Sequence, residues 1–201
     1  MRSLYLLLMG VITMSMVNFA YAEEERVFPG VSIALDDDLV IGNPKASVVI
    51  VEYSSLGCPH CAEYHKYILP QLKEKYIDTK KVRYIARDFP NNNASVMGSM
   101  LARCHGEKRQ KTLDVLFESQ SIWAFKPNFQ DHLKDIMTLG GMNEAQFNDC
   151  IHNTEMRELL LKEAYDAAKN YDVTGTPAIF VNGHKVENVM SLNEIERLIG
   201  E

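Results

Sequence analysis

The chain is poor in cysteine, with 4 in 201 residues, and it has a single tryptophan. Four cysteines are too few to knit a small disulfide scaffold, so a hydrophobic core must carry the fold. Hydrophobic residues make up 46 % of the chain, which is ample for that. Positive charge is also scarce. Lys and Arg number 21 against 27 Asp and Glu, for a formal net charge of −6, and the basic residues do not cluster. An acidic chain without a basic patch argues against nucleic acid and anionic membrane surfaces as partners. There is no glycine-rich phosphate loop after any apolar run, which counts against a doubly wound nucleotide fold. Internal repeats and low-complexity segments are absent too.

The longest apolar run lies at the start. Arg2 provides a short positive region, Leu4 to Val17 an apolar stretch, and Ala20-Tyr21-Ala22 a small-residue cleavage site before Glu23-Glu24-Glu25. This pattern predicts a cleaved signal peptide over residues 1–22. The alternative, an uncleaved membrane anchor, is disfavoured because the run is short for a span. No cysteine precedes Cys58, so a lipid anchor on cysteine is not expected. The expected address is a bacterial periplasm, where disulfides persist.

Two of the four cysteines stand close together, in Cys58-Pro59-His60-Cys61. An apolar run, Val48-Val49-Ile50-Val51-Glu52-Tyr53, precedes them and reads as a buried strand; Ala62 to Leu69 follows and reads as a helix. A CxxC at a strand-to-helix junction is a redox arrangement. Cys58 falls at the helix N-terminus, where free N–H groups and the positive dipole end favour a thiolate. Pro59 suits the first turn, because its missing N–H has no partner there. His60, when protonated, stabilises the Cys58 thiolate but not the disulfide, which makes the disulfide a better oxidant. Two plainer readings compete. A zinc site wants a second cysteine pair at similar spacing, whereas Cys104 and Cys150 stand alone, with only His65, His105 and His152 to recruit. A structural disulfide over so short a loop restrains little chain entropy. The redox reading is preferred, with no metal and no cofactor.

Along the chain, Val31-Ser32-Ile33-Ala34-Leu35 alternates and predicts an edge strand. Asp36-Asp37-Asp38 reads as a solvated turn, and Leu39 to Pro44 as a lead-in to the Val48 strand. A helix is predicted from Pro59 to about Tyr76, a strand from Lys81 to Phe89, and helices throughout from Asn91 to about Tyr171. Thr174-Gly175-Thr176-Pro177 then returns the chain to strand at Ala178-Ile179-Phe180-Val181. Asn182-Gly183 forms a hairpin turn, and Ser191 with Glu194 a capping box for a last helix. The order fits an α/β thioredoxin-like fold with an inserted all-helical domain. The expected divisions are residues 1–22, signal peptide; 23–90, first part of the thioredoxin-like domain; 91–157, helical insertion; and 158–201, second part.

From Asp38-Leu39-Val40-Ile41-Gly42-Asn43-Pro44 to the last helix, the sequence resembles the DsbA-like family of periplasmic thiol–disulfide oxidoreductases. Cys58-Pro59-His60-Cys61 is similar to the active-site tetrapeptide of its oxidant branch. Thr176-Pro177 resembles the cis-proline element that packs beside the redox pair and hydrogen-bonds substrate as an added strand, and cis peptides are practicable at X–Pro. The resemblance implies that Glu52, six residues before Cys58, is the buried acid that moves protons for the buried cysteine. Burial in a strand would raise its pKa; the alternative is a strand-end glutamate in solvent. It also implies a second disulfide between Cys104 and Cys150, against the alternative of two buried thiols. Closing that loop would restrict the unfolded chain by roughly 4 kcal/mol. His65, one turn past Cys61, reads as a partly exposed helix residue. The methionines Met97, Met100, Met137 and Met142 read as helix packing.

The implied function is donation of the Cys58–Cys61 disulfide to unfolded or reduced exported proteins, with a membrane quinone-linked partner of the DsbB type for reoxidation. One departure opens a second reading. The oxidant archetype has valine before the cis-proline, and threonine at position 176 is similar to the isomerase branch. Against that reading, no N-terminal dimerisation domain of the classical isomerase kind is expected ahead of the thioredoxin-like fold. A reductase, or a metal- or peptide-binding chaperone without turnover, completes the alternatives.

Overall fold

The protein is described here by a computed structural model covering residues 27–200, so the expected signal peptide lies outside the described residues. The architecture is thioredoxin-like with helices inserted between two parts of a sheet. Strands β1 (Leu39–Gly42), β2 (Val48–Ser54), β3 (Val82–Asp88), β4 (Ala178–Val181) and β5 (His184–Lys185) lie in the order β1-β3-β2-β4-β5. Only the β2–β3 pair is parallel. A parallel pair needs a crossover, and it is made by α1 (Pro59–Tyr67) and α2 (Leu69–Leu72), which end in a π-helical turn over Lys73–Ile77. The sequence predicted one helix here. Pro70 has no N–H to give, and the helix breaks at Ile68.

Between β3 and β4 come α3 (Asn93–Cys104), α4 (Arg109–Glu118), α5 (Gln120–Trp123), α6 (Phe129–Leu139), α7 (Glu144–Ile151) and α8 (Thr154–Tyr171); α9 (Leu192–Ile199) closes the chain. Helix α8 runs unbroken past residues 157 and 158, so the helical block passes into the sheet domain without a joint.

Side chains alternate across β2 and set up two faces. Val49, Val51 and Tyr53 join Phe180 and Ala167 on one side; Ile50 joins Tyr64, Leu72, Tyr84 and Ile195 on the other. A third cluster fills the helical block around fully buried Trp123, and both Cys58 and Cys61 belong to it. The redox pair thus lies on the seam between block and sheet. Packing there is close. A Cβ on Gly98 in α3 would come within 2.9 Å of the Leu56 side chain and 3.1 Å of Trp123.

Three expectations are corrected. Val31–Leu35 is not a strand: Pro29–Ser32 is a 3-10 turn, Val31 is fully buried, and Arg87 donates to the carbonyls of Val31 and Ile33. A guanidinium occupies the acceptors that a strand neighbour would need. The edge strand is β1 instead. Asp36-Asp37-Asp38 is not simply solvated, since the Asp38 carboxylate is bound by Arg87 at 2.8 Å and Asp37 by Arg103 at 2.7 Å. At α9, Ser191 accepts from the Glu194 N–H, but the Glu194 carboxylate turns to the N–H groups of Glu187 and Asn188. This is a cap without the reciprocal half of the box.

Candidate active site

Cys58 is the N-cap of α1, with extended backbone (φ −105°, ψ 118°), and Pro59 follows in the first turn. The loop before it is held from two sides. Gly57 N–H donates to Ser55 Oγ, whose hydroxyl donates to Asn91 Oδ1 at 2.9 Å. A side chain at position 57 would have to displace both asparagine amides, since a Cβ would lie 2.5 Å from Asn92 Nδ2 and 2.6 Å from Asn91 Oδ1. From the helical block, buried Gln120 donates through Nε2 to the carbonyls of Leu56 and Cys58, both at 2.9 Å.

The two thiols are free, which makes this the reduced form. Cys58 keeps 7 % of its surface and Cys61 none, so Cys58 is the accessible sulfur, through a narrow window. Their acidities are opposed. The Cys58 pKa is lowered from 9.0 to about 5: the hydrogen bond with Cys61 is the main cause, partial burial opposes it, and Thr176 and the N–H groups of Cys61 and His60 add to it. Cys61 is pushed far up, first by burial, then by its hydrogen bond to Cys58 and the charges of Cys58 and Glu52. The Ser55 N–H, 3.4 Å from the Cys61 sulfur, only partly offsets this.

His60 stands largely in solvent. Its side chain is 76 % exposed and pairs with Glu63 at 3.0 Å, which raises its pKa, with the Cys58 charge a lesser cause. Residue 60 touches Cys58 through its backbone N–H. Across the cleft, the Thr176–Pro177 peptide is cis, and the Cys58 thiol donates to the Thr176 carbonyl at 3.2 Å. Cys104 and Cys150, distant in sequence from the redox pair, are bonded to each other and tie α3 to α7.

Glu52 is fully buried, which excludes the solvent-facing alternative. The expected upward shift is corrected, however. Burial does push its pKa up, but the His65 charge and hydrogen bond, with the hydroxyls of Tyr84 and Ser54, outweigh it and leave the net shift downward. Tyr84 donates to Glu52 Oε2 at 2.6 Å, and His65 Nε2 lies 2.8 Å from Oε1. His65 is therefore no ordinary surface residue: its side chain is 11 % exposed, and its ring stacks on Phe117 at 3.8 Å. Strand alternation could have placed Glu52 facing α1. Nothing in the sequence pairs it with His65 in particular. Gln120 was missed for the same reason, since it approaches from 62 residues away. Among the described residues, no group of three or more His, Cys, Asp or Glu comes together as metal ligands would.

The thioredoxin family model matches residues 34–201. The chain belongs to the thioredoxin family. Within that family it groups with the DsbA-like members. Alpha-DsbA1 of Wolbachia pipientis superposes with a TM-score of 0.79 at 27 % identity, over 86 % of this chain and 94 % of that one. A Rickettsia conorii protein carrying the name protein-disulfide oxidoreductase is 38 % identical over 155 residues, 76 % of this chain and 56 % of its own. Disulfide bond formation protein D of Bacillus subtilis is 25 % identical over 80 % of this chain and 74 % of its own. The chain spans only 56 to 61 % of the length of the first Rickettsia relatives.

Proposed function

We propose that this chain is a periplasmic thiol–disulfide oxidoreductase that donates the Cys58–Cys61 disulfide to reduced exported proteins through a mixed disulfide at Cys58. The opposed acidity of the two thiols carries this reading: one sulfur is a stable leaving thiolate at neutral pH, while its partner retains its proton. Family membership and the names of the relatives support it. A substrate thiolate attacks the Cys58 sulfur and the S–S bond to Cys61 breaks. Cys61 takes up a proton. A second substrate thiolate then attacks the substrate sulfur of the mixed disulfide, and Cys58 departs as a thiolate. Substrate loses two electrons, and the enzyme disulfide gains them.

Pro59 starts the helix that presents Cys58, and His60 adds its N–H to the leaving thiolate. Thr176 and Pro177 flank the sulfur where an extended substrate segment would lie. Glu52 serves the proton of Cys61. Cys104–Cys150 is structural. Reoxidation calls for an external acceptor, a quinone-linked membrane partner of the DsbB type. The signal pattern of residues 1–22 supports export, and no helix among the described residues is long and apolar enough to cross a membrane.

A disulfide isomerase is the second reading. The Thr176 side chain hydrogen-bonds Cys58 and so favours the reduced thiolate with which an isomerase attacks scrambled disulfides. Assays on reduced and on scrambled substrate separate the two. An oxidase forms disulfides in the reduced substrate, with a reduction potential of about −120 to −180 mV. Dithiol oxidation retained in Cys58→Ala would overturn the assignment, as would a potential below about −300 mV. Stoichiometric zinc without thiol exchange would point to a binding protein instead.

A further inference from the structure

Cys61 has to lose and regain a proton in every cycle, yet it is fully buried and its burial opposes the charged form. The charge of Glu52 reaches it, but Glu52 is fully buried as well. Of the groups hydrogen-bonded to Glu52, Tyr84 is buried, its hydroxyl held well above the ordinary phenol range first by burial and then by the Glu52 charge. Ser54 is partly exposed but has no proton to exchange near neutral pH, which leaves His65 as the titratable partner that reaches the surface. His65 bonds Glu52 through Nε2 at 2.8 Å and also lines an open cleft of about 910 Å³ between α1–α2 and α4, alongside Ala62, Lys66 and Phe117. One imidazole thus bridges the buried carboxylate and solvent.

We propose that His65 is the outer member of a proton relay, carrying protons between the cleft and Glu52, which exchanges them with the Cys61 thiol. His65 acts through Glu52 and is a positioning and relay residue, with no sulfur contact of its own. This rests on the redox function proposed above. Imidazole suits the task, because it can accept a proton on one nitrogen and release one from the other. Stacking on Phe117 restrains the ring plane. The surrounding charges come from three sides: Glu63 and Lys66 on α1, Asp114 and Glu118 on α4, and Arg87 and Asp88 on β3, with Tyr64 and Tyr84 flanking Glu52.

The test uses reduced protein and oxidised glutathione. In the first step the Cys58 thiolate attacks the glutathione disulfide, forming a Cys58–glutathione bond and releasing one glutathione thiolate. In the second, Cys61 gives its proton through Glu52 to His65, and its sulfur attacks Cys58 and expels the other glutathione thiolate. A Cys61→Ser variant stops after the first step and gives its rate alone. We expect His65→Gln, which keeps a hydrogen bond to Glu52 but carries no proton, to slow ring closure roughly tenfold or more. Its rate should also depend on pH differently from the wild-type rate. His65→Ala should be slow in the same step, and free imidazole diffusing into the cleft should restore it, which repacking alone would not allow. Ring closure at the wild-type rate and with the wild-type pH profile in His65→Gln would overturn the relay while leaving the redox function standing. A wild-type protein that fails even the first step would overturn the function, and the relay with it.

Discussion

Gln120, on the helical block, donates to the carbonyl of Cys58 at 2.9 Å, so the insertion holds the very residue that starts the redox helix. The same Nε2 also holds Leu56 O. Gln120→Ala takes from the buried Leu56 carbonyl its donor, while the Cys58 carbonyl keeps only the N–H groups of Cys61 and Ala62 at the start of the helix. It should lower stability by about 2 kcal/mol, read as a reduced urea midpoint. An unchanged midpoint would mean that the loop finds other donors.

The depressed Cys58 pKa makes the reduced protein respond to pH in one direction. Its folded pKa is about 5 against an ordinary 9.0, so the unfolded state binds the extra proton between those values. The stabilisation is present in full above the unfolded value and fades as pH falls through about 5. The disulfide form has no such group. From pH 5 to 8, therefore, the reduced protein should gain stability relative to the oxidised one. Paired denaturant titrations of the two forms check this, and a constant difference across the range contradicts it. Thiolate absorbance near 240 nm should rise with a midpoint near 5.

Thr176→Val removes the side-chain hydroxyl whose hydrogen bond lowers the Cys58 pKa, and it leaves the backbone carbonyl that accepts from the thiol in place. The pKa should rise and the disulfide become a weaker oxidant, by about 30 mV for each pKa unit. Equilibration with glutathione buffers measures the potential. A shift toward more oxidising values would show that the Thr176 side chain acts in another way.

The Cys104–Cys150 bond closes a separation of 46 residues. The double variant Cys104→Ala/Cys150→Ala should unfold at lower denaturant, with a loss of about 4 kcal/mol in the chain-entropy account. Intact stability in the variant would place the bond outside the cooperative unit.

What the sequence disclosed and what it hid divide along a physical line. Cys58-Pro59-His60-Cys61, Thr176-Pro177 and Asn182-Gly183 are neighbours in the chain, and their chemistry is written in their spacing. The helical block and the two halves of the sheet were legible from hydrophobic period for the same reason. The Glu52–His65 pair, the Gln120 clamp and the hold of Arg87 on Val31 and Ile33 all join separate elements, so they exist only once those elements pack. The sign of the Glu52 shift shows the limit most clearly. Burial alone raises a carboxylate's pKa, and the partners that reverse it come from α1 and β3. The Val31–Leu35 alternation misled because Arg87, more than fifty residues on, claims the backbone acceptors.

Gly98 has a bearing on how such a molecule can change over generations. With Leu56 2.9 Å and Trp123 3.1 Å from the place where a Cβ would stand, any single replacement at position 98 must push on the loop carrying Cys58 or on the centre of the helical block. Sequence drift at this spot is therefore tied to its neighbours. A larger residue at 98 becomes admissible only after Leu56 or Trp123 has shrunk. The intermediate that bears the cavity would lose packing of about 2–5 kcal/mol. The seam between the two halves of the molecule is thus a place where variation must arrive in matched pairs.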